Sequence, residues 1–127
     1  MTGFASKEVK VVTGDGLNFE LLEPLVFTRP DGEVITALPG ATTDGASSPR
    51  ETWAITPPFG RYWLAAVLHD AMYRLKTKPL IVERETADYI FLEAMCSLGV
   101  PVVERNMLYD AVRIGGEASW IQDRTGQ

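Results

Sequence analysis

The hydrophobic period of the sequence changes once along the chain. The first forty residues carry short β-type segments separated by Gly, Pro and Asp turns, whereas residues from Gly60 onward place apolar side chains at helical spacing. Between them lies a stretch rich in Gly, Pro, Ser and Thr with neither period. Strands followed by helices predict an α+β fold. We expect one domain over residues 1–127, β-rich over 1–40, a long loop over 41–59 and helical over 60–127.

The predicted strands are rich in β-branched and aromatic residues and are bounded by turn signals. The run Gly14-Asp15-Gly16 and the run Arg29-Pro30-Asp31-Gly32 both contain the Asp-Gly dipeptide that favours hairpins. We therefore predict a small antiparallel sheet. Its strands are expected at residues 7–13, 18–22, 25–28 and 33–38.

Three helices are predicted in the second half of the chain, at residues 60–76, 83–98 and 102–114. Gly99 and Pro101 are expected to end the second helix, and Gly115-Gly116 the third. The side chains expected to face inward on the three helices are Tyr62, Ala65, Ala66, Met72, Tyr73, Phe91, Leu92, Met95, Met107, Leu108, Ala111 and Ile114.

Length and composition exclude several classes of protein. One core organises about 100–200 residues, so 127 residues fit a single domain. No apolar run approaches the ~18–20 residues of a transmembrane segment, and the start of the chain lacks the pattern of a secretory signal. A net charge of −5 argues against nucleic acid as a partner. The lone Cys96 cannot form an internal disulfide, which favours a reducing cytosol.

The only histidine, His69, lies on the apolar face of the first predicted helix, and Asp88 lies on the apolar stripe of the second. Asp88 needs a partner because an unpaired buried charge costs several kcal/mol. With a rise of about 1.5 Å per residue, antiparallel helices place the two residues roughly 10 and 8 Å from their connection. We therefore predict a hydrogen bond between them, with Ala65, Ala66 and Ala87 allowing the helices to approach closely.

Asp70 is rotated by about 100° from His69 around the helix, so it is expected to face the loop around Asp44. Carboxylates beside a loop rich in carbonyl groups suit a hard cation, which makes Asp70 and Asp44 the predicted ligands of Ca²⁺. Water activated by His69 and a carbonyl polarised by the metal would give ester or amide hydrolysis. The other loop residues of this candidate site are Thr43, Gly45, Ser47 and Arg50.

The same residues have plainer interpretations. An inward histidine that is paired with an aspartate and capped by Tyr73 is often a satisfied core network without activity. The loop is equally consistent with an Asp-Gly turn, followed by Ser47 or Ser48 capping a helical turn at Pro49. Zinc is disfavoured because one histidine and a distant Cys96 do not supply its usual ligands. The loop also lacks the Gly-x-Ser-x-Gly elbow of a serine hydrolase.

The run His69-Asp70-Ala71-Met72-Tyr73 resembles the His-Asp-x-x-Tyr helix of secreted phospholipases that cleave the sn-2 ester. Ala87-Asp88, followed by Ile90 and Phe91, resembles the second helix of these enzymes, most closely the compact form embedded in parvovirus capsid proteins. The resemblance covers about residues 60–95. It implies that His69 is the base for water, Asp70 a Ca²⁺ ligand, Asp88 the residue that orients His69, and Tyr73 a support for Asp88.

A larger set of residues, spread over most of the chain, matches another family in residue type and spacing. The set comprises Leu38-Pro39-Gly40, Thr43 through Arg50, Trp53, Pro57-Pro58, Gly60, Ala65-Ala66, His69-Asp70, Tyr73, Ala87-Asp88, Phe91, Glu93-Ala94-Met95 and Gly99-Val100. In these positions the chain resembles a small phage and prophage family of unknown function. The resemblance implies a phage origin and a shared site, and it carries no settled activity.

These observations predict a phage-encoded, hydrolase-like domain with His69, Asp70 and Asp88 at its site and Ca²⁺ as its candidate cofactor. The rival hypothesis is a non-catalytic virion or assembly component of the tail, neck or capsid, in which the polar cluster only fixes the packing. Other phage structural proteins are the partners expected in that case. Both hypotheses place the protein in the host cytoplasm or the virion, and both leave a substrate unnamed.

Overall fold

The computed structural model describes residues 2–6, 9–13, 19–43 and 62–125. Six of the seven described strands precede the first helix and pair only antiparallel, which confirms the predicted α+β fold. None of the helices in these ranges is both long and apolar enough to cross a membrane. The strands are β1 (Gly3–Phe4), β2 (Val11–Thr13), β3 (Phe19–Leu21), β4 (Leu25–Thr28), β5 (Val34–Ala37), β6 (Thr42–Thr43) and β7 (Thr77–Lys78). The helices are α1 (Trp63–Tyr73), α2 (Arg84–Ser97), α3 (Val102–Gly115) and α4 (Glu117–Thr125).

The described strands form two antiparallel sheets, one in the order β1-β4-β5-β7 and the other in the order β2-β3-β6. The predicted hairpin of β4 and β5 places Phe27 opposite Ile35. Both side chains are fully buried because the two-residue period turns them toward the core. In the turn between these strands, Gly32 has a φ of +94°, which glycine adopts without a steric penalty.

Helix α1 lies at the centre of the fold and packs against α2 as well as against strands β5 and β6. Nearly its whole circumference is buried, with Leu64, Ala65, Ala66, Val67, Leu68, His69, Ala71, Met72 and Tyr73 inside. Ala87 on α2 is also fully buried, in agreement with the predicted close approach of the two helices.

Helix α2 ends where its sequence predicts. Gly99 has a φ of +75° and donates its amide to the Cys96 carbonyl at 3.1 Å, while the Val100 amide donates to the Met95 carbonyl at 3.1 Å. These two bonds form a Schellman motif, which satisfies the last carbonyls of the helix. The buried Val100 then leads the chain into α3.

A side-chain ion pair ties the β4–β5 hairpin to α2. Arg29 Nε donates to Glu93 Oε1 at 2.8 Å, and a second guanidinium nitrogen donates to Glu33 at 2.7 Å. The Arg29 and Glu93 side chains are only 16% and 13% exposed, so the pair is mostly shielded from solvent. The sheet is thereby fixed against the helix that carries Asp88.

The first helix is shorter than predicted, because it ends at Tyr73 and not at Lys76. Leu75 has a φ of +61°, a left-handed conformation that cannot continue the helix. Thr77 and Lys78 then pair with β5 as the edge strand β7. A second short strand, β6, falls within the segment predicted as loop and pairs with β3. Two-residue strands carry too few residues for a hydrophobic period to be seen.

The inward position predicted for Ile114 is wrong, since its side chain is 85% exposed. Helix α3 buries Leu108 and Val112, which lie one turn apart. Ile114 follows Val112 by two residues and is therefore rotated by about 200° to the opposite side. The buried stripe of α3 is set by its packing against α2, which periodicity alone does not specify.

Gly115 ends α3 as predicted, but the chain continues after Gly116 into α4, a helix that the sequence prediction missed. Trp120 of α4 packs edge-on against Tyr73 of α1, with the ring centroids 5.1 Å apart. The corner between α3 and α4 therefore lies directly beside the centre of the fold.

Gly116 allows this close contact, and its substitution tests it. A methyl group at Gly116 would lie 2.5 Å from the Val112 carbonyl oxygen and 2.6 Å from the Tyr73 hydroxyl oxygen. We expect Gly116→Ala to lower the free energy of unfolding by about 1–3 kcal/mol in urea titrations, as overpacking does. In Gly115→Ala the new methyl group meets nothing within 4 Å, so this control should be neutral or stabilise by up to about 1 kcal/mol. Equal effects of the two substitutions would contradict the packing described.

Candidate functional site

His69 lies between two aromatic rings in the contact of α1 with α2. Its ring centroid is 4.4 Å from that of Tyr73 and 4.6 Å from that of Phe91. The histidine is only 4% exposed. Its Nε2 is 2.7 Å from Oδ1 of Asp88, which confirms the hydrogen bond predicted from helical spacing.

Asp88 has no solvent exposure and is the acceptor at the centre of a polar network. Besides His69, the Tyr73 hydroxyl donates to its Oδ1 at 2.6 Å. On the other oxygen, Oδ2 accepts from Arg113 NH1 at 2.7 Å and from Arg84 NH1 at 3.4 Å. Three helices thus contribute donors to one carboxylate.

The network also determines the ionisation of its members. Burial by itself would raise the pKa of Asp88, but the hydrogen bonds from His69, Tyr73 and Arg113 outweigh it and hold the pKa below its ordinary value. The same environment raises the pKa of Tyr73, through burial and through its hydrogen bond to Asp88. At neutral pH the network therefore contains a carboxylate and a neutral phenol that donates to it.

Ionised Asp88 can only accept, so the imidazole nitrogen that faces it, Nε2 of His69, must carry a hydrogen. In the neutral imidazole the other nitrogen, Nδ1, then bears a lone pair. Nδ1 is buried and has no hydrogen-bond partner in the part of the chain that the structure describes. A buried polar atom without a partner costs about 1–3 kcal/mol, so this nitrogen requires an explanation.

Asp70 lies one residue along α1 and contacts a different element, as predicted. The Thr43 hydroxyl at the end of β6 donates to Asp70 Oδ2, which brings two of the predicted site residues together. The remaining predicted residues of the loop, Asp44, Gly45, Ser47 and Arg50, lie outside the described residues. Their places in the candidate site remain predictions.

The oxygens of Asp70 and Thr43 have the hard-donor chemistry that Ca²⁺ prefers, but Ca²⁺ takes about 6–8 oxygen ligands. Within the described ranges, no group of three or more His, Cys, Asp and Glu side chains could hold a metal ion. The described residues thus supply a part of a calcium site at most. Binding of Ca²⁺ remains a prediction.

Sequence reasoning missed the two arginines that complete the network. Arg84 precedes Asp88 by four residues on α2, a spacing that places oppositely charged side chains on one face. Arg113 lies in the last turn of α3, where cations are favoured, but nothing local indicates which carboxylate it reaches. Arg84 could be found from its spacing, and Arg113 only from the packing of α3.

Comparison with known proteins identifies the family of the chain without indicating an activity. The chain belongs to the family described as "Protein of unknown function (DUF1353)", whose model matches residues 19–112. The matched segment includes β3 to β7, α1, α2 and most of α3, and hence His69, Asp88 and Arg84, whereas Arg113 lies one residue beyond it. No curated protein and no solved structure matches the chain.

Replacement of Asp88 by asparagine tests the electrostatic role of the carboxylate. Asp88→Asn leaves Arg113 and Arg84 facing a neutral amide, and we expect the free energy of unfolding at pH 7 to fall by about 3–5 kcal/mol. The folded-state pKa of Asp88 lies below the unfolded value of about 3.9, so its stabilisation is complete above that pH and is lost as the pH falls through the folded-state pKa. The difference between wild type and variant in urea titrations should therefore shrink as the pH falls below about 4.

Asp110→Asn, at an exposed position of α3, is the matched control for removing one carboxylate. Its effect at pH 7 should stay within about 0.5 kcal/mol of the wild type. A difference for Asp88→Asn that does not depend on pH would contradict the ionised state assigned to this carboxylate.

Proposed function

We propose that the protein is a hydrolase in which His69 is the catalytic base and Asp88 positions it. The observation that carries the proposal is Nδ1 of His69, which is buried without a hydrogen-bond partner among the described residues, while the hydrogen of Nε2 is held by a carboxylate. A histidine that only fixes packing gains nothing from a buried nitrogen without a partner. A base for water requires one.

In this mechanism a water molecule lies within hydrogen-bond distance of Nδ1. As the water oxygen forms a bond to the carbonyl carbon of an ester, its proton passes to Nδ1. Asp88 stabilises the imidazolium that forms, because the carboxylate is already hydrogen-bonded to Nε2 at 2.7 Å. The bond to the leaving alcohol then breaks, and the alcohol oxygen takes the proton from Nδ1.

Asp70 lies on the side of α1 that faces β6, where it accepts a hydrogen bond from Thr43. These are the described residues that would contribute to a Ca²⁺ site. Bound there, the ion would polarise the carbonyl and stabilise the negative charge that develops on its oxygen. The resemblance to sn-2 phospholipases supports a carboxylic ester as the bond that is cleaved. It is also the reason for including phospholipids among the substrates to be assayed.

The second candidate is a non-catalytic component of a phage virion or of its assembly. It is favoured by the network itself, because donors from α1, α2 and α3 converge on Asp88 and would fix the helix packing without any chemistry. The phage origin and the place in a virion or in the host cytoplasm are supported only by the sequence resemblance. One variant separates the two functions.

His69→Gln keeps an amide N–H that can donate to Asp88 but removes the base at Nδ1. We expect it to lower hydrolysis by at least about 10²-fold, the usual contribution of a general base. Its free energy of unfolding should fall by less than about 1 kcal/mol, because one hydrogen bond is replaced by another. Rates on a panel of carboxylic esters and phospholipids, measured with and without Ca²⁺, are paired with urea titrations of both proteins.

His69→Leu is the comparison for stability, because it removes the donor to Asp88 as well as the base. A wild type that cleaves none of these esters, together with a His69→Gln variant destabilised by about 2–4 kcal/mol, would reject the hydrolase and support the structural component.

The Ca²⁺ prediction is tested by thermal unfolding of protein first stripped of metal. A ligand that binds only the folded state raises the melting temperature by mass action. Millimolar Ca²⁺ should therefore raise the melting temperature of the wild type but not that of Asp70→Asn. Asp110→Asn should retain the shift. If Ca²⁺ leaves the wild type unchanged, the interaction of Asp70 with Thr43 serves packing alone.

A further inference from the structure

The hydrogen bonds to Asp88 divide between its two oxygens. Oδ1 accepts from two side chains of α1, His69 at 2.7 Å and Tyr73 at 2.6 Å. Oδ2 accepts from two guanidinium groups, Arg113 at 2.7 Å and Arg84 at 3.4 Å. Oδ2 is thus bound by two cations, while Oδ1 accepts hydrogen bonds from the helix that carries His69.

The two arginines do not contribute equally. Arg84 also donates to the carbonyls of Val112 and Arg113, at 3.0 and 3.2 Å, and so binds the end of α3. Arg113 projects from that end and, among the described residues, donates to Asp88 only. Arg113 is therefore the group that directly restrains Oδ2, and Arg84 restrains the helix end from which it projects.

From this arrangement we infer that Arg113 is a positioning residue, which orients the Asp88 carboxylate so that the hydrogen of His69 stays on Nε2 and Nδ1 stays free of hydrogen. The inference rests on the proposed function only in that Nδ1 then serves as the base for water. The position of the hydrogen is a property of the folded protein, whatever reaction it catalyses.

The physical basis is the rotation of a carboxylate about its last bond. A carboxylate held at one oxygen only can turn and present a lengthened or misaligned contact to the imidazole. A charge-assisted bond to Oδ2 stops that rotation and is roughly twice as strong as a bond between neutral groups. With Oδ1 fixed opposite Nε2, the tautomer that donates from Nε2 is favoured.

Nitrogen-15 NMR of the imidazole tests the inference directly. His69 is the only histidine of the chain, so all imidazole signals of the labelled protein belong to it. The wild type should show a hydrogen on Nε2 that exchanges slowly with solvent, and an unprotonated Nδ1. In Arg113→Gln the hydrogen should be shared between the two nitrogens and exchange faster. Arg113→Lys, which keeps the charge but not the guanidinium geometry, should give an intermediate exchange rate.

Arg105→Gln is the matched control, since Arg105 lies on the same helix and donates to the Val100 carbonyl at 3.3 Å instead of to Asp88. It should leave the imidazole spectrum unchanged. A wild-type imidazole spectrum in folded Arg113→Gln would overturn the inference. If Arg113→Gln does not fold, wild-type exchange in Arg113→Lys overturns it in the same way.

Hydrolysis is measured separately, so that the two proposals fail independently. Arg113→Gln should lower kcat by about 10–100-fold without a change in KM, as the loss of a residue that orients a functional histidine does. The predicted spectra in an inactive wild type would reject the hydrolase and retain the positioning role. An active enzyme whose His69 spectrum does not respond to Arg113→Gln would reject the positioning role alone.

Discussion

A single carboxylate, removed from water at the meeting point of three helices, determines the arrangement of the helical half of this protein. Burying Asp88 without partners would cost several kcal/mol, so the folded state requires donors to both of its oxygens. Those donors come from α1, from α3 and from α2 itself, so α1 and α3 are both held within hydrogen-bond distance of one group on α2. Gly116 is part of this constraint because a larger residue would displace the Tyr73 hydroxyl.

Helix α1 connects this network with the strands. His69 and Asp70 are adjacent in sequence but point about 100° apart around the helix. His69 therefore meets α2 in the interior, while Asp70 meets Thr43 at the end of β6. One turn of one helix thus presents a buried imidazole and, beside it, a partly exposed carboxylate.

The sequence was sufficient where the determinants are local. The pairing of His69 with Asp88 follows from two amphipathic stripes and a short connection, and the end of α2 follows from Gly99. The sequence was insufficient where packing between distant elements decides. The contact of Arg113 with Asp88 and the exposure of Ile114 both depend on how α3 is rotated against α2. Periodicity gives the spacing of a buried stripe but not which of two candidate stripes is buried.

The donors that Asp88 needs can be distinguished from the nitrogen that His69 buries without a partner among the described residues. Buried ionic networks are weak evidence for stability, because apolar residues of similar volume often stabilise equally well. Once Asp88 is buried, it needs donors, and Arg84, Arg113 and Tyr73 already satisfy both of its oxygens. His69 adds a further donor, and with it a buried nitrogen that the described residues leave without a partner. An indole N–H, which is a donor only, would supply the hydrogen bond without that cost. In the proposed function, the lone pair of Nδ1 is the feature of the cluster that proton transfer requires.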